Sequence, residues 1–139
     1  MKKTETSLRH YLTELKSLNL PVGKFAIFGS GPMAVRKIRQ ARDLDVIVKK
    51  DLWHNLVQKF PLSRRQKNQY LKIGNLEIYY NWFKLSNEIN EMIDNADIID
   101  DFPFVKLEYV LAYKKELGRK KDIADIKLIE ALFLKKQHE

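Results

Sequence analysis

The sequence predicts one α+β (α/β-like) domain, in which helices pack on a small mixed sheet of about four strands. Short apolar runs typical of strands lie at residues 25–28 and 43–48 and on both sides of Gly74-Asn75. Before and after these runs, apolar residues recur at intervals of three and four, as they do in helices. The chain has 139 residues, 45% of them hydrophobic, which is enough for a single core. We therefore expect residues 1–139 to form one domain, with a helical C-terminal part from about residue 86.

The first elements are a helix, a strand and a short helix. Residues 6–18 predict an amphipathic helix, because apolar residues recur at intervals of three and four and Pro21 follows. The apolar run 25–28 predicts a strand that ends at Gly29. Residues 32–40 predict a short helix, because proline is favoured in the first turn of a helix.

A second strand and a third helix follow. Residues 43–48 form an apolar run that is interrupted by two carboxylates, and we predict a strand there. Asp51 can cap a helix that continues to Phe60, where Pro61 ends it. The basic, polar residues 63–67 predict a connection without regular structure.

The next elements are a hairpin and three helices. Residues 69–73 and 76–82 are rich in β-prone side chains and flank Gly74-Asn75, a pair typical of a tight hairpin turn. The remaining elements are predicted helices at residues 86–95, 105–117 and 121–135, of which the second is closed by Gly118.

Composition narrows the classes of function. No apolar run reaches the roughly 18 residues of a membrane span, so we expect no membrane association and a cytoplasmic location. The chain has no cysteine, and its three histidines are far apart, so a bound metal would need oxygen ligands. The net charge of +8 favours anionic partners such as nucleotides or nucleic acids.

Asp43 and Asp45 are unusual in an apolar strand. Residues two apart in a strand point to the same face, so the two carboxylates are expected to project together. Like charges at that spacing repel each other unless a cation lies between them. Mg²⁺ is the natural cation, since it binds one or two carboxylates together with waters and substrate phosphates.

The turn Gly29-Ser30-Gly31 between the first strand and the next helix predicts a phosphate site. A glycine-rich turn at a helix start exposes backbone N–H groups that can bind phosphate, and Ser30 adds a hydroxyl donor. Phosphate and metal would then meet at the ends of adjacent strands.

These residues resemble a known family. Gly29-Ser30, followed after residues 31–42 by Asp43-Leu44-Asp45, is similar to the GS…DxD signature of the DNA polymerase β-type nucleotidyltransferase superfamily. The segment KKELGRKKDIADIKLIEAL near the C-terminus is similar to one in minimal nucleotidyltransferases and in AbiE-type nucleotidyltransferase toxins. The resemblance implies a nucleotidyltransferase fold, a nucleoside triphosphate substrate and Mg²⁺ or Mn²⁺ as cofactor.

The resemblance also implies roles for single residues. Asp43, Asp45 and a third carboxylate on a neighbouring strand would be catalytic and would bind two metal ions. Glu77 is the best position for the third acid, although the family more often has aspartate there. Residues that could bind the triphosphate are Gly29, Ser30, Arg36, Lys37, Arg39, Lys114 and Arg119.

Simpler interpretations remain open for each of these residues. Gly29-Ser30 can be an ordinary turn, and the acids Asp43, Asp45 and Glu77 can be solvated strand residues. The cations after the turn can be a solvated helix face, and Lys114 can form surface ion pairs. Asp122 and Asp125 can complement the dipole of the last helix. Tryptophan and tyrosine side chains can simply be packing residues.

Two functions follow from the sequence. The first is Mg²⁺-dependent transfer of a nucleoside monophosphate to a hydroxyl group of RNA, a protein or a small molecule. The second is a catalytically silent module of the same fold that binds nucleotide or nucleic acid, as part of a toxin–antitoxin pair. Pyrophosphate release distinguishes the two.

Overall fold

The fold is a seven-stranded mixed sheet with helices on both faces. It is given by a computed structural model that describes residues 3–65, 68–81 and 88–137. The helices are α1 (Lys3–Ser17), α2 (Gly31–Val35), α3 (Lys50–Val57), α4 (Ile89–Asp94), α5 (Leu107–Leu117) and α6 (Ile123–Gln137). The strands are β1 (Phe25–Phe28), β2 (Leu44–Val48), β3 (Leu62–Arg65), β4 (Asn68–Ile73), β5 (Leu76–Tyr79), β6 (Asp97–Ile99) and β7 (Phe102–Phe104). A 3₁₀ turn, Lys120–Asp122, precedes α6.

The strand order is β3-β4-β5-β2-β1-β7-β6. β1 pairs antiparallel with β2, so the end of β1 lies beside the start of β2. β2 is parallel to β5, and β1 is parallel to β7. Antiparallel hairpins, β3-β4 and β6-β7, form the two edges.

Each face of the sheet has its own core. Apolar side chains of α1 and α3 cover one face, where they meet residues that alternate along the central strands: Leu8, Leu15, Ile27, Leu44, Val46, Leu52, Leu76 and Ile78. Side chains of α4, α5 and α6 cover part of the other face, and the buried residues there include Phe28, Ile47, Met92, Val110 and Ile129. The part of this second face near the start of β2 stays open and forms the candidate site.

The prediction of about four strands is wrong, because the sheet has seven. Residues 62–65 form the edge strand β3, although 63–67 were expected to be an irregular connection. β6 and β7 lie within the stretch that was predicted to be helical from about residue 86. These two strands have three residues each, which is too few to show the alternation of apolar and polar residues that marks a strand. Proline, as at Pro103, is also untypical of strands. Their turn uses Asp100 and Asp101 at positive φ in place of glycine.

The other predicted elements are present, with shifted ends. The second strand begins at Leu44, so Asp43 precedes it, and α3 begins at Lys50, so Asp51 lies within the first turn of the helix. β5 ends at Tyr79. The predicted end of that strand at Trp82 and the predicted start of a helix at Ser86 lie outside the described residues. Gly118 closes α5 in the left-handed conformation, as predicted.

None of the helices in the described part of the chain has the length and apolarity needed to cross a membrane.

Candidate active site

The turn after β1 brings the backbone against a carboxylate. Gly29 has a φ of +67°, and a β-carbon at this position would overlap the side chain of Asp45. Glycine is therefore needed for the backbone conformation and for the space. Ser30 follows at the N-cap of α2, where its hydroxyl makes no capping hydrogen bond.

The strand register places acids side by side. Asp45 pairs with Phe28 on β1 and with Glu77 on β5. Paired residues on adjacent strands share a face, so the side chains of Asp45 and Glu77 project to the same side of the sheet. Asp43 lies just before β2, in a loop anchored by the Tyr11 hydroxyl, which donates a 2.6 Å hydrogen bond to the Arg42 carbonyl oxygen. The acids thus lie at the start of β2, beside the end of β1, because the two strands are antiparallel.

The two aspartates are electrostatically strained. Burial, and next the charges of Asp43 and Glu77, raise the pKa of Asp45 to about 7. Burial, and next the charge of Glu77, raise the pKa of Asp43. The ionised forms of both aspartates are therefore disfavoured, and a cation at this site would relieve the repulsion.

The negative charge of Glu77 is stabilised by neighbouring side chains. Burial alone would raise its pKa, but hydrogen bonds from Tyr79 and Arg65 and the charges of Arg65 and Lys72 outweigh burial and lower the pKa. The Tyr79 hydroxyl donates a 2.6 Å hydrogen bond to Glu77. Within residues 3–65, 68–81 and 88–137, no three acidic or histidine side chains are placed so that they could together hold a metal ion.

A network of ion pairs formed by α5, α6 and the segment between them lies in the same region. Lys114 on α5 lies 3.2 Å from Asp122 and 3.0 Å from Asp125. Arg119 pairs with Asp122 at 2.6 Å, and Arg39 pairs with Asp125. Both aspartates are buried. Burial opposes the charge on Asp122, but Arg119 and Lys114 outweigh it and lower the pKa of this acid.

The acids and the ion-pair network line one open cleft with a volume of about 730 Å³. Its lining contains six basic and five acidic side chains: Arg39, Arg42, Arg65, Lys114, Arg119 and Lys121, with Asp43, Asp45, Glu77, Asp122 and Asp125. Gly29 and Ser30 also line it. Segments about 70 residues apart in the chain, around Asp45 and around Lys114, thus meet in this cleft. The cleft brings several carboxylates close to several basic side chains.

Most of the residues predicted from the sequence line this cleft, but two cations do not. Arg36 pairs with Asp97 at 2.8 Å and donates to the Pro32 carbonyl oxygen. Lys37 lines a different groove, beside α1. This geometry favours a structural role for Arg36, and a phosphate-binding role for either residue stays an untested prediction. Lys114 pairs with Asp122 and Asp125, which are both buried.

Sequence reasoning missed several residues of the cleft. Arg42, Arg65 and Lys121 were not proposed as site residues, and Asp122 and Asp125 were read only as possible helix charges. The signal for Asp122 and Asp125 was their place inside the segment KKELGRKKDIADIKLIEAL. No signal marked Arg65, because β3 was not predicted.

No protein-family model matches the chain, and no curated protein matches it significantly. Function is therefore inferred from the cleft and from the resemblance of the two sequence segments that line it.

Proposed function

We propose that the protein transfers a nucleoside monophosphate from a nucleoside triphosphate to a hydroxyl group, with Mg²⁺ or Mn²⁺ as cofactor. One observation carries the proposal: Asp43, Asp45 and Glu77 line the same cleft as Lys114 and Arg119. The residues that resemble the nucleotidyltransferase signature are thus neighbours in space. Paired carboxylates opposite several cations suit a metal-bound triphosphate.

The donor set fits a hard divalent cation. Asp43 and Asp45 offer carboxylate oxygens whose ionised forms are disfavoured by burial and by neighbouring acids, and Mg²⁺ needs only one or two carboxylates in addition to water and phosphate oxygens. In the proposed site Asp43 and Asp45 would hold the metal, and Glu77 would join them once its side chain moves away from its present contacts with Arg65 and Tyr79. When bound, the metal supplies charge neutralisation at the transferred phosphate. The nearly equal numbers of acids and bases in the lining could not by themselves offset a triphosphate.

The protein's own groups would bind and orient the nucleotide. Gly29 lets the Asp45 carboxylate lie against the turn that would bind phosphate, and Lys114 and Arg119 are held in place by buried Asp122. Arg42 and Lys121 make no salt bridge with any described residue and are available to phosphate oxygens. In the reaction the acceptor oxygen bonds to the α-phosphorus as the bond to the β-phosphate oxygen breaks, pyrophosphate leaves, and the hydroxyl proton passes to solvent.

The acceptor is a hydroxyl group of RNA, a protein or a small molecule, and the use of a nucleoside triphosphate fits a cytoplasmic location. The test is to incubate the protein with each α-labelled triphosphate, Mg²⁺ or Mn²⁺ and a crude lysate. Pyrophosphate release and a labelled product are expected with wild type and not with Asp45→Asn. If no triphosphate is turned over under any of these conditions, the enzymatic proposal fails.

A silent binding module is the second candidate, and one observation favours it. Glu77 is tied to Arg65 and Tyr79, so the third acid is not open to a metal as placed. Such a module would bind RNA or nucleotide, as part of a toxin–antitoxin pair, without turnover. Salt-sensitive RNA binding without pyrophosphate release would support it.

Glu77→Gln distinguishes the two candidates at a single residue. We expect triphosphate binding to persist, because it depends mainly on Asp43 and Asp45, while transfer falls at least about a hundredfold, the scale of losing one metal-orienting or general-base group. The measurement is pyrophosphate release at saturating triphosphate. Glu130→Gln, an exposed acid on α6, is the matched control. Equal, non-zero rates in wild type and Glu77→Gln would remove Glu77 from the mechanism.

A further inference from the structure

Arg65 makes a contact that links an edge strand to the candidate metal site. It lies at the end of β3, and its guanidinium reaches across β4 to Glu77 on β5. The two guanidinium nitrogens lie 3.3 and 3.4 Å from the two carboxylate oxygens. The side chain of Glu77 is 9% exposed, whereas that of Arg65 is 61% exposed. The arginine can therefore leave at little cost, and the glutamate cannot.

Both oxygens of the Glu77 carboxylate already have hydrogen-bond donors. Its Oε1 accepts from the Tyr79 hydroxyl and from Arg65, and its Oε2 faces Arg65 and, at 3.7 Å, Lys72. The three hydrogen bonds use both carboxylate oxygens, and Lys72 adds its charge without a hydrogen bond. A cation that binds Glu77 must compete with these donors. Tyr79 is buried, which makes Arg65 the hydrogen-bonding partner that is easier to remove.

The side chain of Arg65 also packs on an aromatic surface formed by two tyrosines. Its guanidinium lies over the ring of Tyr70, 4.9 Å from the centroid, and that ring stacks on Tyr79 at 5.6 Å. Arg65 lines the same cleft as Gly29 and Lys114. When it is released from Glu77, its charge is therefore already beside the space that an anionic ligand would fill.

We propose that Arg65 is a displaceable counterion: it occupies Glu77 in the metal-free protein, yields Glu77 to the divalent cation, and then binds the phosphates of the incoming ligand. This inference rests on the proposed metal-dependent function. Arg65 would then have two opposite effects on binding. Arg65 opposes binding of the metal alone and favours binding of the metal–phosphate complex.

The test measures both affinities for the same set of variants. Mn²⁺ binding to the metal-free protein is followed by the loss of the free-ion electron paramagnetic resonance signal. Tripolyphosphate binding in the presence of Mn²⁺ is followed by calorimetry, which avoids any dependence on the base. Arg65→Gln is expected to bind Mn²⁺ about twofold to fivefold more tightly, the scale of one exposed ion pair. It should bind tripolyphosphate about tenfold more weakly, the scale of a charge-assisted hydrogen bond.

Two variants provide the controls. Arg64→Gln removes the same charge from the neighbouring position, whose side chain alternates to the other face of β3, and should change neither affinity as much. Arg65→Lys keeps the charge without the planar fork and should restore most of the tripolyphosphate affinity. A merely structural role of Arg65 would weaken both affinities together and would overturn the proposal.

The remaining outcomes separate this inference from the proposed function. If Asp45→Asn abolishes Mn²⁺ binding but Arg65→Gln matches Arg64→Gln in both measurements, the role of Arg65 is refuted and the metal site stands. If neither wild type nor any Arg65 variant binds Mn²⁺, the metal-dependent function and this inference fail together. Mn²⁺ binding by Arg65→Gln but not by wild type would be the strongest support.

Discussion

Asp45→Asn is expected to abolish metal-dependent turnover, with a loss of at least about a hundredfold to a thousandfold. Asparagine keeps the shape and the close contact with Gly29, but it removes the charge that would hold the metal. The measurement is pyrophosphate release with Mg²⁺, together with Mn²⁺ binding. Asp94→Asn, an exposed acid outside the cleft that pairs with Lys49, is the matched control. Mn²⁺ binding that survives in Asp45→Asn would remove this residue from the metal site.

The same substitution should stabilise the metal-free protein. Burial and then the charges of Asp43 and Glu77 raise the pKa of Asp45 to about 7, from the ordinary aspartate value of 3.8. Between about pH 4 and pH 7 the folded protein therefore binds more protons at this site than the unfolded chain does, and its stability falls as the pH rises. Above that window ionised Asp45 costs up to about 4 kcal/mol, from 1.36 kcal/mol for each pKa unit.

The stability effect is measured by denaturant unfolding with a chelator present. Asp45→Asn should have a larger free energy of unfolding than wild type at pH 8, and the difference should shrink at pH 5, where wild-type Asp45 is protonated in the folded state. The comparison of the two proteins removes the effect of the other acids that titrate in both. If the difference in free energy of unfolding between the two proteins is the same at pH 5 and pH 8, the pKa of Asp45 is not raised in the folded protein.

Gly29→Val should lower both stability and binding. Valine at a φ of +67° costs roughly 1–3 kcal/mol, and its β-carbon would push against the Asp45 carboxylate. We therefore expect a lower free energy of unfolding together with weaker triphosphate binding. The two measurements are denaturant unfolding and calorimetric titration with Mg²⁺-triphosphate.

Gly23→Val provides a matched control for backbone strain. Gly23 also has a positive φ, +88°, but a β-carbon there meets no atom within 4 Å. Its variant should lose stability through the backbone alone and should bind triphosphate like wild type. If the Gly29 and Gly23 variants bind triphosphate equally well, the turn after β1 only connects two elements and has no role in binding.

The strongest local patterns allowed the sequence to predict the central elements. The strand Phe25–Phe28, the Gly74-Asn75 turn and the end of α5 at Gly118 lie where the sequence predicts them. Each depends on neighbours in the chain: an apolar run, a turn pair that tolerates positive φ, or a left-handed helix cap. The short edge strands offer no such pattern, and three of the seven strands were therefore missed.

The sequence by itself singled out four residues that line the cleft, namely Gly29, Ser30, Asp43 and Asp45, because their spacing is local. Only the tertiary structure decided that Glu77 pairs with Asp45, since register depends on how β5 packs beside β2. It also decided that Lys114 and Arg119 line the same cleft as these acids, whereas Arg36 pairs elsewhere with Asp97. The physical reason is that such contacts join residues far apart in the chain, and their geometry is set by packing of the whole sheet and its helices.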